Sequence, residues 1–334
     1  MSLVEDPRSA PPLRWGILGP GRIAHRFVRE ALHHTAQLVT AVGSRSEGRA
    51  GAFAHEFGIE SAHGDYEALV ADPDVDAVYI ATPHSEHLSN ALLAIAAGKH
   101  VLIEKPITRN ANEARELLAA ARAAGVFLME AMWTNFLPHI VELKAVLDRG
   151  EIGELVGLAA DHGQMLNFGA AHRLMNPQLA GGAILDLGVY PISFAHLVLG
   201  QPETVTAVGE VTETGVDGHA SIALSYADGV YALLDTTLWA GTPCIAWVAG
   251  DRGRVFVERQ FYHPTQFHIA RLDGTTWSYD GRVPGGFQYQ IAEVARRVAA
   301  GATESPLRTW HATLEVMEIM DSARAQLGVV YPGE

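Results

Sequence analysis

The 334-residue sequence has one cysteine, Cys244, so an intrachain disulfide is excluded and a reducing, cytoplasmic setting is expected. Positive charge is scarce: 24 Lys and Arg stand against 38 Asp and Glu, a formal net charge of −14. That balance opposes binding to nucleic acid or to an anionic membrane surface. No apolar run reads as long enough to span a bilayer. Residues 1–12 hold proline and polar side chains without an apolar signal segment, and read as a frayed tail. Short-period repeats and low-complexity tracts are missing too. What is present is a 48% apolar chain, longer than one hydrophobic core normally supports, which suggests two domains.

The most informative stretch is Glu104-Lys105-Pro106, which ends a predicted strand, His100 to Ile103. A lysine at the carboxyl end of a buried parallel strand lies where open α/β sheets bind ligands. Its ammonium loses solvation there and needs a carboxylate, a phosphate or a substrate oxygen. Upstream runs Gly16-Ile17-Leu18-Gly19-Pro20-Gly21-Arg22-Ile23-Ala24, with a strand from Leu13 to Leu18 before it. A helix from Arg22 to Leu32 follows, with Ile23, Phe27, Val28 and Ala31 inward. Gly19 permits the tight turn, and Gly21 lets a pyrophosphate approach the backbone at the helix N-terminus. Ala24 replaces the third glycine of this dinucleotide fingerprint. After the next strand, Leu38 to Gly43, comes Ser44-Arg45-Ser46 with Arg49 beyond, where an NAD-binding chain usually carries Asp or Glu. Two hydroxyls and a guanidinium fork suit a 2′-phosphate, so NADP is expected over NAD.

The first half alternates strand and helix. Helices are predicted near Arg49 to Phe57, Tyr66 to Val70, Ser85 to Ala97 and Asn112 to Ala123. Strands are predicted at Ser61-Ala62, Val75 to Ala81 and Val126 to Met132. This is the grammar of a doubly wound, Rossmann-type α/β domain over 13–132. From about Trp133 the pattern changes. Val141 to Leu147 reads as helix, and strands follow at Leu155 to Ala160, Thr204 to Val211, Ala220 to Tyr226, Val230 to Leu238, Cys244 to Ala249 and Arg254 to Glu258. Ala227-Asp228-Gly229 and Asp273-Gly274 read as hairpin turns. Helices from Phe287 to Ala299 and Trp310 to Gln326 complete an α+β domain over 133–334, with a large, mostly antiparallel open sheet. The last helix is expected to be able to pack back on the Rossmann domain.

Between these strands lies Gly181-Gly182-Ala183-Ile184-Leu185-Asp186-Leu187-Gly188-Val189-Tyr190-Pro191. On a helix, Asp186 and Tyr190 are four apart and share a face, and a carboxylate and phenol amid apolar neighbours are costly to bury without purpose. His84 and His87 are three apart but have no third ligand at motif spacing, so no metal is expected. Trp133, Phe168, Trp239, Phe261 and Trp277 are candidates to line a pocket, although most aromatics are core. Arg173 and Asn176 are further candidates for a polyhydroxylated ligand.

The glycine fingerprint, Thr82-Pro83, Glu104-Lys105-Pro106 and the Gly-Gly-x-x-x-Asp-x-Gly-x-Tyr run stand in the order of the Gfo/Idh/MocA oxidoreductase family, which the chain resembles from Leu13 to Gly328. Many members carry His where this chain has Tyr190. Tyrosine there, with Thr82-Pro83-His84 and Glu130-Ala131-Met132-Trp133, resembles the dimeric dihydrodiol dehydrogenase subgroup, which is NADP-linked and also oxidises aldopyranoses. The resemblance implies hydride transfer between a secondary carbinol of a cyclic diol or sugar and the nicotinamide. It also implies a homodimer formed through the open sheet. The expected cofactor site comprises Gly19, Pro20, Gly21, Arg22, Ile23, Ser44, Arg45, Ser46, Thr82, Pro83, His84, His87, Glu104 and Lys105, with His84 near the nicotinamide ribose. Lys105, Tyr190 and Asp186 form the expected catalytic set, and Trp133 and Arg173 join them at the substrate. An ammonium about 4 Å from a phenol favours its ionised form by roughly 4 kcal/mol at an effective dielectric of ~20, partly offset by burial. Tyr190 is therefore read as the base and Lys105 as its partner. The reverse assignment stays open because the pair can titrate together. Two other classes also remain: a non-catalytic NADP-binding sensor, and a reductase of a different substrate class.

Overall fold

The computed structural model describes residues 3–166, 169, 170 and 172–334. They form two compact units. The first comprises Glu5–Trp133 and Gly285–Thr313, and the second comprises Thr134–Pro284 and Leu314–Glu334 together with the first residues of the chain.

The first unit alternates β1 (Arg14–Leu18), α1 (Arg22–His34), β2 (Leu38–Gly43), α2 (Glu47–Phe57), β3 (Ser61–His63), α3 (Tyr66–Ala71), β4 (Ala77–Ile80), α4 (His87–Ala96), β5 (His100–Ile103), α5 (Ala111–Ala124) and β6 (Leu128–Glu130). The sheet order is β3-β2-β1-β4-β5-β6, all parallel. The order reverses between β1 and β4, which makes the carboxyl ends of those strands the ligand edge of such a fold. Punctuation residues explain the helix ends. Asn110 caps α5 by accepting from Glu113 N at 2.9 Å, and Gly125 closes it in the left-handed conformation at φ 65°. Trp15, Phe27 and Tyr79 are fully buried, and the Phe27 and Tyr79 rings stack 3.8 Å apart. Ile23, expected inward with Phe27, is only half-buried because it sits in the first turn of α1, at the sheet's edge.

The second unit begins with α6 (Pro138–Asp148) and β7 (Leu155–Gly163). After a π-helical turn at Ile184–Gly188 come α7 (Val189–Leu199), β8 (Thr204–Val211), β9 (Asp217–Ser225), β10 (Tyr231–Thr237), β11 (Ala246–Gly250), β12 (Gly253–Val257), β13 (Gln266–Arg271) and β14 (Thr276–Asp280). Its eight-stranded sheet runs β14-β13-β12-β11-β7-β10-β9-β8, antiparallel except for the β7–β10 pair. Ala232, Leu234, Ile222, Val248 and Val255 point to the covered face and are buried. Register places Leu233, Ala223, Ala159, Trp247 and Phe256 together on the opposite face. There Leu233 is 51% exposed and Val208, paired with Ser221, is 64% exposed.

Pro177–Leu199 corrects one expectation, since by length and composition alone it could cross a bilayer. Because 78% of its apolar window is buried inside the protein, its side chains are satisfied as core. Two helices remain. In the first unit, α8 (Phe287–Ala299) lies against α1, where Glu30 accepts a hydrogen bond from Phe287 N at 2.5 Å. The last, α9, spans Trp310–Leu327.

Candidate active site

The loops after β1, β2, β4 and β5 leave the same edge of the parallel sheet. After β1, Gly19 has φ 92°, and a Cβ there would stand 3.0 Å from Thr82 Cγ2 and 3.2 Å from the Ala81 carbonyl. Only glycine fits this conformation and this approach. Gly21 N donates to Gly19 O at 2.8 Å, and Gly21 stands just before α1 with no side chain capping the helix's first amides. An uncapped helix start beside a bare glycine backbone is the arrangement a pyrophosphate needs. After β2, Ser44 is buried and Arg45, Ser46 and Arg49 are exposed. Ser46 begins α2, again with no side-chain cap. The Tyr66 phenol, which the sequence did not single out, shares this corner: burial raises it above its usual pKa, and Arg45 and Arg49 counter that.

The β4 and β5 loops are tied together more tightly. Glu104 lies buried and accepts the Tyr79 hydroxyl, while Lys105 N donates to its other oxygen at 3.3 Å. Burial raises the Glu104 carboxyl above the ordinary range, against the pull of Tyr79 and of the Lys105 charge. Lys105 is half-buried, and its peptide bond to Pro106 is cis. Ile107 N donates to Glu130 Oε1 at 3.0 Å, and Arg308 Nε donates to Glu130 Oε2 at 2.9 Å. Asn90 Nδ2 donates to Thr82 Oγ1 at 3.1 Å.

His84 and His87 are both buried, with ring centroids 5.6 Å apart. His87 is fully enclosed, with each ring nitrogen against a backbone carbonyl. Trp133 is buried as well. At 3% exposure it lies under the Arg26 guanidinium, 4.5 Å from the ring centroid, and edge-on to Phe287. Phe261 is wholly buried against Phe194, and Trp277 packs on Phe267. Phe168 lies outside the described residues.

In the second unit the Gly-Gly run shows why glycine is required twice. A Cβ on Gly181 would meet the Leu174 carbonyl at 2.4 Å, and one on Gly182 would meet Asp217 Oδ1 at 2.3 Å. The space left free lets Asp217 accept from Ile184 N at 2.6 Å. This buried carboxylate therefore caps the segment bearing Asp186 and Tyr190. That segment is a π turn running into α7 rather than a plain α-helix, so the expected α-helical stacking of Asp186 and Tyr190 does not apply. Burial raises Asp217 to about 6. Asp186 forms an ion pair with Arg173, Nη2 to Oδ1 at 3.1 Å, so two residues read separately in the sequence act together. Asn176 is occupied locally, accepting from Gln178 N at 2.9 Å. Around half-buried Tyr190 stand two aromatic side chains that the sequence did not single out. The His162 ring is 5.1 Å from it and the Tyr262 ring 5.0 Å, and the His162 and Tyr262 rings stack at 3.9 Å. Gln164 donates its amide to His162 Nε2 at 2.8 Å. Among the described residues, no cluster of three metal-binding side chains occurs.

Residues 13–132 match a family described as oxidoreductase, NAD-binding Rossmann fold, and residues 140–256 match the GFO/IDH/MocA C-terminal domain. Trans-1,2-dihydrobenzene-1,2-diol dehydrogenase of Mus musculus is 37% identical over 335 residues, covering 96% of this chain and 98% of that protein. D-xylose 1-dehydrogenase (NADP(+)) of Hypocrea jecorina is 35% identical over 367 residues, covering 96% and 93%. Among solved structures, a 3-ketoreductase from Actinomadura kijaniata in complex with NADP and TDP-benzene superposes with a TM-score of 0.83. It is 31% identical over 95% of this chain and 98% of that one. Both halves are matched and the relatives align almost end to end, so the chain belongs to the Gfo/Idh/MocA oxidoreductase family.

Proposed function

We propose that the protein is an NADP-dependent dehydrogenase acting on a secondary carbinol of a cyclic diol or an aldopyranose. The observation that carries this reading is the fixed Glu104-Lys105-Pro106 turn on the sheet edge that also presents Gly19 and Gly21. The diol and xylose dehydrogenases at 35–37% identity support the substrate class and the cofactor. The ketoreductase has also been solved as a lysine-to-alanine and a tyrosine-to-phenylalanine variant, residue types that match Lys105 and Tyr190.

The residues fit the dinucleotide. Gly19, Pro20 and Gly21, with the first amides of α1 at Arg22 and Ile23, would hold the pyrophosphate. Ser44, Arg45 and Ser46 would hold the 2′-phosphate, and Thr82, Pro83 and His84 would line the nicotinamide side. When bound, the nicotinamide accepts the hydride. The chain's own task is the hydroxyl proton. Lys105 and Tyr190 would share it: an ammonium beside the phenol would favour its ionised form, and the phenolate would take the proton as hydride leaves. His162 and Tyr262 fix the plane of the Tyr190 ring. The Asp186–Arg173 pair offers one acceptor and one donor to a neighbouring hydroxyl, which suits a diol or sugar over a simple alcohol.

We further propose that two copies pair through the open face of the eight-stranded sheet. A cavity of about 450 Å³, lined by Ala159, Val208, Ala223, Leu233 and Trp247, lies on this face beside further exposed apolar side chains. A cytoplasmic setting suits the one buried thiol, Cys244. The test of function is to follow NADPH absorbance with the purified protein across aldopyranoses, inositols, anhydro-sugars and trans-cyclic diols. Reduction of NADP by an aldopyranose or diol is expected. NADPH binding without turnover of any carbinol would instead mark a sensor and sink the proposal.

A further inference from the structure

His87 opens α4, and its ring is wholly buried. Nδ1 lies 2.9 Å from the Pro106 carbonyl oxygen and Nε2 lies 3.0 Å from the Thr82 carbonyl oxygen. Both oxygens can only accept, whereas a neutral imidazole has one N–H to give. Only the imidazolium would satisfy both. Burial opposes that charge and pushes the imidazole down to about 4, and the nearby Lys105 charge pushes the same way. The remaining close neighbour with a titratable ring, His84, adds no compensating negative charge. A neutral ring therefore donates to one carbonyl and holds the other at short range with no proton between them. Such an arrangement is costly in a buried site, so the placement it enforces calls for an explanation.

The two carbonyls belong to the backbone segments that leave β4 and β5. One follows Ile80 and carries Thr82, which Asn90 also grips from the next turn of α4. The other carries Lys105. Pro106 has no N–H, so its carbonyl is the only backbone hydrogen-bonding group by which that residue can be held. The following amide, on Ile107, is taken by Glu130.

We propose that His87 is a positioning residue: by donating to one of the Thr82 and Pro106 carbonyls and packing its ring against the other, it fixes the Lys105 turn against the loop that follows β4. The proposal rests on the reading that Lys105 takes part in transfer of the carbinol proton. It differs from a dinucleotide-contacting role for His87, because the ring is enclosed and each nitrogen faces a backbone carbonyl.

The test compares His87→Phe, which keeps a ring but has no donor, with His87→Asn, which retains one amide donor. Lys105→Met is run alongside. D-xylose with saturating NADP is the probe, replaced by the faster carbinol if the substrate panel returns one. In His87→Phe, kcat should fall roughly 10–10²-fold, the scale of an ångström-level misplacement, with KM changing far less. The acidic, rising limb of the kcat–pH profile should move toward higher pH, as in Lys105→Met, because the phenol loses part of the lysine's help. His87→Asn should recover part of both effects. A folded His87→Phe enzyme whose kcat falls equally at every pH, with no displaced limb, would reduce the histidine to packing and overturn the proposal. If His87→Phe does not fold, wild-type kcat and profile in His87→Asn overturns it instead. Normal turnover by Lys105→Met would strike at the Lys105 reading itself. A crippled Lys105→Met beside normal His87 variants would remove only the role of His87.

Discussion

Arg308 and Glu130 form a wholly buried ion pair, with side chains 1% and 0% exposed. Arg308 donates to one Glu130 oxygen from both Nε and Nη2, while the other oxygen takes the Ile107 amide, two residues after Lys105. Replacing Arg308 with Leu keeps an apolar stem but leaves the Glu130 carboxylate in the core beside the Ile107 amide, with no positive charge to balance it. Breaking a buried pair in this way costs about 3–5 kcal/mol, because the desolvation of the remaining charge is no longer offset. Additional apolar burial from the leucine recovers little, since the arginine methylenes already packed there. The double variant Arg308→Leu/Glu130→Leu removes the orphaned charge and should be more stable than the single variant, although it also gives up the Ile107 tie. Urea unfolding followed by tryptophan fluorescence reads both. Turnover of the double variant should stay below wild type even where it is fully folded, because the Lys105 turn has lost an anchor. A single variant destabilised by less than about 1 kcal/mol, or a double variant less stable than the single, would refute the reasoning.

Three further outcomes are expected. Burial raises Asp217 from 3.8 to about 6, so the folded protein holds that proton more tightly than the unfolded chain. Stability from this group is full below pH 4 and is lost as pH rises through 6, about 3 kcal/mol in all, and Asp217→Asn should flatten the fall in urea midpoint over that window. Arg45→Asp should weaken NADPH binding by roughly 1–3 kcal/mol in a fluorescence titration and spare NADH, which lacks the 2′-phosphate. Light scattering at micromolar concentration should report a dimer that Leu233→Asp converts to monomer; a monomeric wild type would remove the pairing through the open face.

The parallel half was legible because its signals are local. Gly19 and Gly21 sit at fixed offsets from a strand, β4 and β5 are continuous apolar runs, and Gly125 marks the end of α5 at φ 65°. Helix α8 was legible to the residue for the same reason. Strands β13 and β14 were visible only as the turn between them. Gln266, His268, Thr276 and Ser278 give them a half-polar pattern, as expected at the edge of a sheet. The π turn had no compositional signal at all. It depends on Asp217 reaching under Gly182, 35 positions earlier in the chain, and a lone aspartate before an alternating strand does not announce that. Arg173 with Asp186, and His162 and Tyr262 with Tyr190, are likewise products of tertiary placement. His87 was legible as important but not as enclosed, because its helical position does not say which neighbours cover it.

The central claim is that Lys105 and Tyr190 act on one proton, and a mutant cycle on turnover tests it most directly. Tyr190→Phe, Lys105→Met and the double variant would be compared with NADP and the best carbinol from the panel, with NADPH affinity measured separately. Tyr190→Phe should lower turnover by ~10²–10⁴-fold, the loss typical of a missing general acid–base, and leave NADPH binding nearly unchanged. The double variant should be little worse than the poorer single one, since both residues serve the same transition state. Losses that multiply independently would show that the two do not share the proton, and near-normal turnover by Tyr190→Phe would contradict the account outright.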